Sequence, residues 1–121
     1  LYAAEVSTGA PFAAALSAGK PTVIEYTPTF VDGIGAPRVL PEMFSLAKRL
    51  LDGAIVSTPE DIAAAVRIIA EQNHVISEGA GAASVAAALT GKAGTGKIAC
   101  VISGGNIDPQ KMIKILRGEV P

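Results

Sequence analysis

The feature that most constrains the fold is an alternation of short apolar runs with longer stretches of helical pattern. Residues 1–6 and 54–58 are apolar runs of strand length, whereas residues 10–19 and 40–53 have helical composition or period. Strands that alternate with helices along a chain form parallel sheets with helices packed on their faces. The alternation therefore predicts an α/β fold, here part of a mostly parallel sheet flanked by helices.

Two further helices have clear start signals. Thr58 is followed by a proline and two acidic residues, which suit the N-cap and first turn of a helix, so residues 58–73 are predicted to be helical. Asp108 is likewise followed by a proline, which predicts a closing amphipathic helix over residues 108–118.

The remaining segments differ in character. Residues 21–39 contain three prolines and two glycines, which predicts a long irregular segment. Residues 75–91 combine a turn with a helix of mostly small residues, which favours close approach to neighbouring elements. Residues 98–103 are an apolar run that we predict to be a buried strand, with Cys100 as a buried core residue. The lone His74, at a predicted helix end, is typical of a capping or surface residue.

Composition excludes several classes of partner. The hydrophobic share of 50% suffices for a packed core, and the net charge of −1 with scattered lysines gives no basic surface for nucleic acid or anionic membrane. No apolar stretch reaches the roughly 18 residues that a membrane helix needs, and no signal-peptide pattern is present. We therefore expect a cytoplasmic domain that binds neither nucleic acid nor membrane. Because the chain begins at Leu1, we also expect it to be a piece of a longer protein.

Two glycine-rich turns are candidates for binding an anionic ligand. The turn at residues 91–97 matches most of a phosphate-binding loop, but Ile98 replaces the expected Ser or Thr, and the turn leads from helix to strand instead of strand to helix. The turn at residues 103–106 follows a predicted strand and precedes a helix, which is where ligands bind in open α/β sheets. Its position favours the second turn, although an ordinary tight turn explains the pattern equally well.

Three motifs together resemble a known enzyme family. They are FVDGIG at residues 30–35, VISEGAGAASVAAAL at residues 75–89 and VISGGNID at residues 101–108. In this order and spacing they resemble the C-terminal part of the fold-type II pyridoxal-phosphate enzymes, in the branch of threonine dehydratase, serine dehydratase and serine racemase. The resemblance implies that residues 1–121 are the C-terminal portion of the large, cofactor-binding domain of the tryptophan synthase β-like fold.

The resemblance implies a role for individual residues. Ser103 would hydrogen-bond the pyridine nitrogen of pyridoxal phosphate, Gly33 would lie against one face of the ring, and Glu78 would lie beside its polar edge. Four further small residues would leave room for the ligands: Gly104, Gly105, Gly35 and Ala36. The first two would let the end of the strand approach the ring, and the other two would border a small amino-acid substrate.

The chain departs from the family pattern in two respects. The Schiff-base lysine and the glycine-rich phosphate loop lie further upstream in the family, so the resemblance places no catalytic residue in this chain. Some relatives bind a divalent cation through a glutamate, a carbonyl and an aspartate. Glu5 and Gly9 match the first two positions, but the third is Pro11, which leaves the metal open.

The function implied is that of a pyridoxal-phosphate-dependent lyase, which eliminates the hydroxyl group of threonine or serine to give a 2-oxo acid and ammonia. A serine racemase-like isomerase is the alternative within the family. Without the lysine this chain alone is expected to be inactive, and a non-catalytic remnant that self-associates is a hypothesis of another class. Exposed sheet edges predict a homo-oligomer or association with an N-terminal half.

Overall fold

Two parallel strands form the sheet of the computed structural model, which describes residues 1–121. Strand β1 (Tyr2–Val6) pairs with strand β2 (Gly53–Ser57) over its full length, with Ala4 opposite Ile55. Parallel neighbours need a crossover connection, and here it carries two helices. The structure thus confirms the predicted α/β class and the parallel direction of the sheet.

Five α-helices account for most of the remaining regular structure. They are α1 (Pro11–Ala18), α2 (Pro41–Leu50), α3 (Pro59–Ile68), α4 (Gly79–Leu89) and α5 (Pro109–Leu116). Helix α3 continues into a π-helical turn at Ile69–Asn73 that ends at His74. Each predicted helix is therefore present, although α2 ends three residues before the predicted boundary at residue 53. No helix is both long enough and apolar enough to cross a lipid bilayer.

Side-chain caps explain where α3 and α5 begin. The Thr58 hydroxyl accepts a hydrogen bond from the Asp61 amide at 3.2 Å, and the Asp61 carboxylate accepts one from the Thr58 amide at 3.0 Å. Asp108 accepts a hydrogen bond from the Gln110 amide at 2.7 Å. These bonds satisfy backbone donors that the first helical turn leaves free, which stabilises each helix start by about 1 kcal/mol.

The prediction of a buried strand at residues 98–103 is wrong. These residues form no helix or strand, because β1 and β2 pair only with each other and the segment has no strand partner in this chain. Val101 is 74% exposed, and Cys100 is half-buried instead of lying in the core. The Ser84 hydroxyl of α4 donates a hydrogen bond to the Val101 carbonyl at 2.8 Å. An apolar run without a neighbouring strand cannot form a ladder, so it lies along α4 with an exposed side.

The main core lies where α3, α4 and β1 pack together. Fully buried side chains from these elements include Val6, Ile62 and Val66. Residues 20–40 contain no helix or strand, as predicted, yet Phe30 and Val31 from this segment belong to the same core. The core therefore anchors the irregular segment immediately before Gly33.

Candidate functional site

The first turn of α4 is hydrogen-bonded to the turn at residues 103–106. The Glu78 amide donates to the Gly104 carbonyl at 3.0 Å, and the Asn106 amide donates to Glu78 Oε2 at 3.1 Å. The hydroxyl of Ser77, which is fully buried, donates to the Glu78 carbonyl at 3.0 Å and lies 3.4 Å from the Gly104 carbonyl. The structure thus brings together two of the motifs, through residues that are more than twenty positions apart in the sequence.

Glycines permit this close approach. A Cβ atom on Gly81 would lie 2.5 Å from the Gly104 carbonyl oxygen, and one on Gly104 would lie 2.7 Å from Glu78 Oε1. A Cβ atom on Gly105 would lie 2.5 Å from the carbonyl oxygen of Ile76. Real Cβ atoms do not approach other atoms so closely, so side chains at these positions would separate α4 from the turn.

Gly33 lies on the other side of the Glu78 carboxylate. A Cβ atom on Gly33 would lie 2.9 Å from the Ala80 side chain and 3.6 Å from Glu78 Oε1. The predicted reason for a glycine here was a collision with the cofactor ring. The chain's own packing against α4 gives a second and sufficient reason.

Ser103 is the last residue of the segment at residues 98–103, next to Gly104. Its side chain is exposed and makes no hydrogen bond within the chain. A hydroxyl can donate and accept, so Ser103 offers a free polar group at the rim of the surface formed by Gly33, Glu78 and Gly104. The predicted cofactor-binding residues therefore cluster, while their binding roles stay predictions.

Of Gly35 and Ala36, which are predicted to border the substrate, Gly35 lies next to the aromatic ring of Tyr26. A Cβ atom on Gly35 would overlap this ring, and a Cβ atom on Gly9 would lie 2.6 Å from its Cδ2 atom. Tyr26 is a residue that sequence reasoning missed. Tyr26 is a single aromatic residue in a proline-rich irregular segment, so it belongs to no periodic pattern in the sequence. Its packing role is visible only in the structure, where its ring lies next to both Gly9 and Gly35.

Glu5, the first of the two matching metal positions, caps helix α1. Its Oε1 accepts a hydrogen bond from the Phe12 amide at 2.7 Å, and its Oε2 accepts one from the Ala13 amide at 2.8 Å. Glu5 is only 7% exposed, and this burial raises the pKa of its carboxyl, while the two amide hydrogen bonds partly oppose the shift. Glu5 thus serves as a helix cap in this chain, and a metal role for Glu5 and Gly9 stays an untested prediction.

Lys111 contacts a residue next to the cluster. Its Nζ lies 3.9 Å from the carboxylate of Asp32, which precedes Gly33, and the two side chains are 40% and 75% exposed. An exposed ammonium in an ion pair is in contact with water, unlike the desolvated amine of a nucleophilic lysine.

The glycine-rich turn at residues 91–97 is an exposed loop after α4. Gly91, Gly94 and Gly96 have positive φ values of 73°, 89° and 112°, with no atoms near enough to meet a Cβ. The loop follows a helix and does not enter one, as predicted, but the strand predicted after it is absent. It therefore lacks the helix N-terminus that a phosphate loop places behind its ligand.

Comparison with known proteins identifies the family of this chain. A family model described as pyridoxal-phosphate dependent enzyme matches residues 1–104. The L-threonine ammonia-lyase of Thermotoga maritima is 39% identical over 104 residues, which cover 85% of this chain and 26% of that protein. The catabolic L-threonine dehydratase TdcB of Escherichia coli is 31% identical over 107 residues, which cover 85% of this chain and 32% of that protein.

A solved structure of maize serine racemase has the same fold over this region. It matches with a TM-score of 0.82 and 28% sequence identity, covering 96% of this chain and 38% of the racemase chain. The chain thus spans about a quarter to two fifths of the length of these three relatives.

Replacing Gly81 by alanine tests the close contact between α4 and the turn. In an open helix this change stabilises the folded state by about 1 kcal/mol. Here we expect a loss of about 1–3 kcal/mol in the free energy of unfolding, because the new methyl group meets a backbone carbonyl. Urea unfolding measures the change. Gly53→Ala is the control, since its Cβ would lie 3.6 Å from the Tyr2 ring, and a stabilised Gly81→Ala variant would contradict the contact.

The raised pKa of Glu5 predicts a pH-dependent stability. The folded state holds the Glu5 proton more tightly than the unfolded state, so the stability that this proton contributes is complete below pH 4.5 and is lost as the pH rises through the raised pKa. The variant Glu5→Gln does not ionise and lacks this dependence. We expect its free energy of unfolding, relative to that of the native protein, to rise between about pH 4 and pH 7. A relative free energy that stays flat or falls over this range in denaturant titrations would disprove the prediction.

Proposed function

Because the chain belongs to the pyridoxal-phosphate dependent enzyme family, we propose that the intact protein is a lyase that eliminates the β-hydroxyl group of threonine or serine. The products would be a 2-oxo acid and ammonia. The observation that carries this proposal is the 39% identity to an L-threonine ammonia-lyase over 85% of the chain. Since the chain covers only 26% of that relative, the activity is proposed for the intact protein and not for these residues alone.

The residues present fit pyridoxal phosphate. Ser103 has an exposed hydroxyl without a partner, as needed for a hydrogen bond to a pyridine nitrogen. Gly33 and Gly104 have no side chains of their own, and the Glu78 carboxylate lies 3.6 Å and 2.7 Å from where their Cβ atoms would be. When bound, the cofactor supplies the electron sink for the reaction.

Each of these residues would have a distinct task. The neutral Ser103 hydroxyl would orient the ring without protonating its nitrogen, because a hydroxyl is not an acid at neutral pH. Gly33 would allow the irregular segment to approach one face of the ring. Glu78 would hold the turn that carries Ser103 through its bond to the Asn106 amide. We place the lysine that binds the cofactor upstream of this chain, because Lys111 beside Asp32 is exposed and ion-paired.

A serine racemase is the second candidate, favoured by the TM-score of 0.82 to the maize enzyme over 96% of the chain. Both activities begin by removing a proton from a bound amino acid. A cofactor site at the cluster around Glu78 would therefore be compatible with either activity. The products separate the two candidates, since racemisation retains the hydroxyl group and elimination releases it.

Assays of the intact gene product with L-threonine and L-serine test the proposal. We expect release of a 2-oxo acid and ammonia, and a loss of about tenfold or more in kcat/KM for Ser103→Ala, as for the loss of a hydrogen bond worth about 1.4 kcal/mol. Ser45→Ala is the matched control, because its hydroxyl donates to the Pro41 carbonyl on an exposed face of α2. Formation of D-serine without a 2-oxo acid would show a racemase and contradict the proposed lyase. Inactivity with both substrates would contradict both candidate functions.

We further propose that this chain packs against the upstream part of the same protein. An apolar groove of about 370 Å³ lies between β1, α4 and the segment at residues 97–101, and 11 of its 13 lining residues are hydrophobic. The segment at residues 98–102 has no strand partner. Unpaired strand backbone beside apolar surface favours the addition of another strand.

Sedimentation of residues 1–121 expressed alone tests this packing. We expect self-association, because the groove of one copy would bind the unpaired segment of a second copy. Co-expression with the upstream part should replace the oligomers by a one-to-one complex. A monodisperse monomer that does not bind the upstream part would refute the proposal.

A further inference from the structure

Helix α4 begins differently from the other helices that start at an acidic or hydroxyl residue. Thr58 and Asp108 each accept a hydrogen bond from a backbone amide of their own helix. Glu78 occupies the same N-cap position, with φ −80° and ψ 169°, but its side chain makes no capping bond. The carboxylate is therefore available for another partner.

That partner is the turn at residues 103–106. Glu78 Oε2 accepts a hydrogen bond from the Asn106 amide at 3.1 Å, while the Glu78 amide donates to the Gly104 carbonyl at 3.0 Å. The side chain of Glu78 thus binds the turn at Asn106, and its backbone amide binds the turn at Gly104. A bond from an amide to a carboxylate is charge-assisted, and it is stronger than one between neutral groups.

The glycines on both sides of the carboxylate fit this contact. A Cβ atom on Gly104 would lie 2.7 Å from Glu78 Oε1, and one on Gly33 would lie 3.6 Å from the same oxygen. The Glu78 side chain fills the space between these two backbone segments. An alanine at position 104 would require the Glu78 carboxylate to move.

We propose that Glu78 is a positioning residue that fixes the turn carrying Ser103 before any cofactor binds. Ser103 precedes Gly104 directly, so holding Gly104 and Asn106 fixes the backbone from which the Ser103 side chain extends. A site that is formed in advance loses less conformational entropy when its ligand binds. This inference rests on the proposed function, because it gives the Ser103 hydroxyl its task at the pyridine ring.

Hydrogen exchange of the Asn106 amide in the cofactor-free intact protein tests the positioning directly. We expect Glu78→Ala to speed this exchange about tenfold, because the amide loses its acceptor. Glu78→Gln should keep most of the protection, since its carboxamide oxygen still accepts. Thr58→Ala is the control: it frees the amide of Asp61 at the start of α3 and should leave Asn106 unchanged. Unchanged exchange in Glu78→Ala, with a native circular dichroism spectrum, would overturn the proposal.

Equilibrium dialysis with pyridoxal phosphate gives the second measurement. We expect about tenfold weaker binding for Glu78→Ala and a return to within about threefold of the native affinity for Glu78→Gln, in parallel with the exchange rates. If Glu78→Gln protects Asn106 yet binds as weakly as Glu78→Ala, the negative charge acts on the cofactor itself and the positioning role is overturned. A native protein that protects Asn106 but binds no cofactor would contradict the proposed function and leave the Glu78 contact intact.

Discussion

The structure depends on the contact between the first turn of α4 and the turn at residues 103–105. Backbone meets backbone there, with the Glu78 amide 3.0 Å from the Gly104 carbonyl, and Gly81 leaves no room for a methyl group. Because no side chain separates the two segments, the Glu78 carboxylate extends past Gly104 towards the Asn106 amide. Ser103 is held at the rim of this contact, and Gly33 closes it from the other side.

The surrounding core keeps the contact in place. Helix α4 packs against α3 and β1, and the buried side chains of Phe30 and Val31 tie the irregular segment to the same core, two residues before Gly33. Glu5 binds the start of α1 through the amides of Phe12 and Ala13. The core and these hydrogen bonds therefore hold the segments on which the candidate site is built.

Local signals in the sequence predicted most of the fold. Residue types with a direct effect on the backbone, such as Thr58 and Asp108 at N-caps, predicted these helices correctly. The motifs predicted the family, and the likeness to serine racemase and threonine dehydratase confirms the fold-type II architecture. The clustering of Gly33, Glu78 and Ser103 followed from the resemblance and not from any local pattern.

Long-range partners explain what the sequence could not predict. The run at residues 98–103 is as apolar as a buried strand, but a strand requires a neighbour, and this chain supplies none. The role of Glu78 was hidden because its bond partner lies 28 residues away and is a backbone amide, which any residue would offer. Tyr26 was missed because its packing between Gly9 and Gly35 joins segments without periodicity.

The mass of the intact gene product after borohydride reduction, followed by peptide mapping, tests the central claim most directly. That claim is that these residues form one wall of a pyridoxal-phosphate site whose covalent anchor lies elsewhere in the protein. It predicts a reduced pyridoxyl phosphate on a single lysine outside residues 1–121. A product without the adduct, or with the adduct on Lys111 or another lysine of this chain, would contradict it.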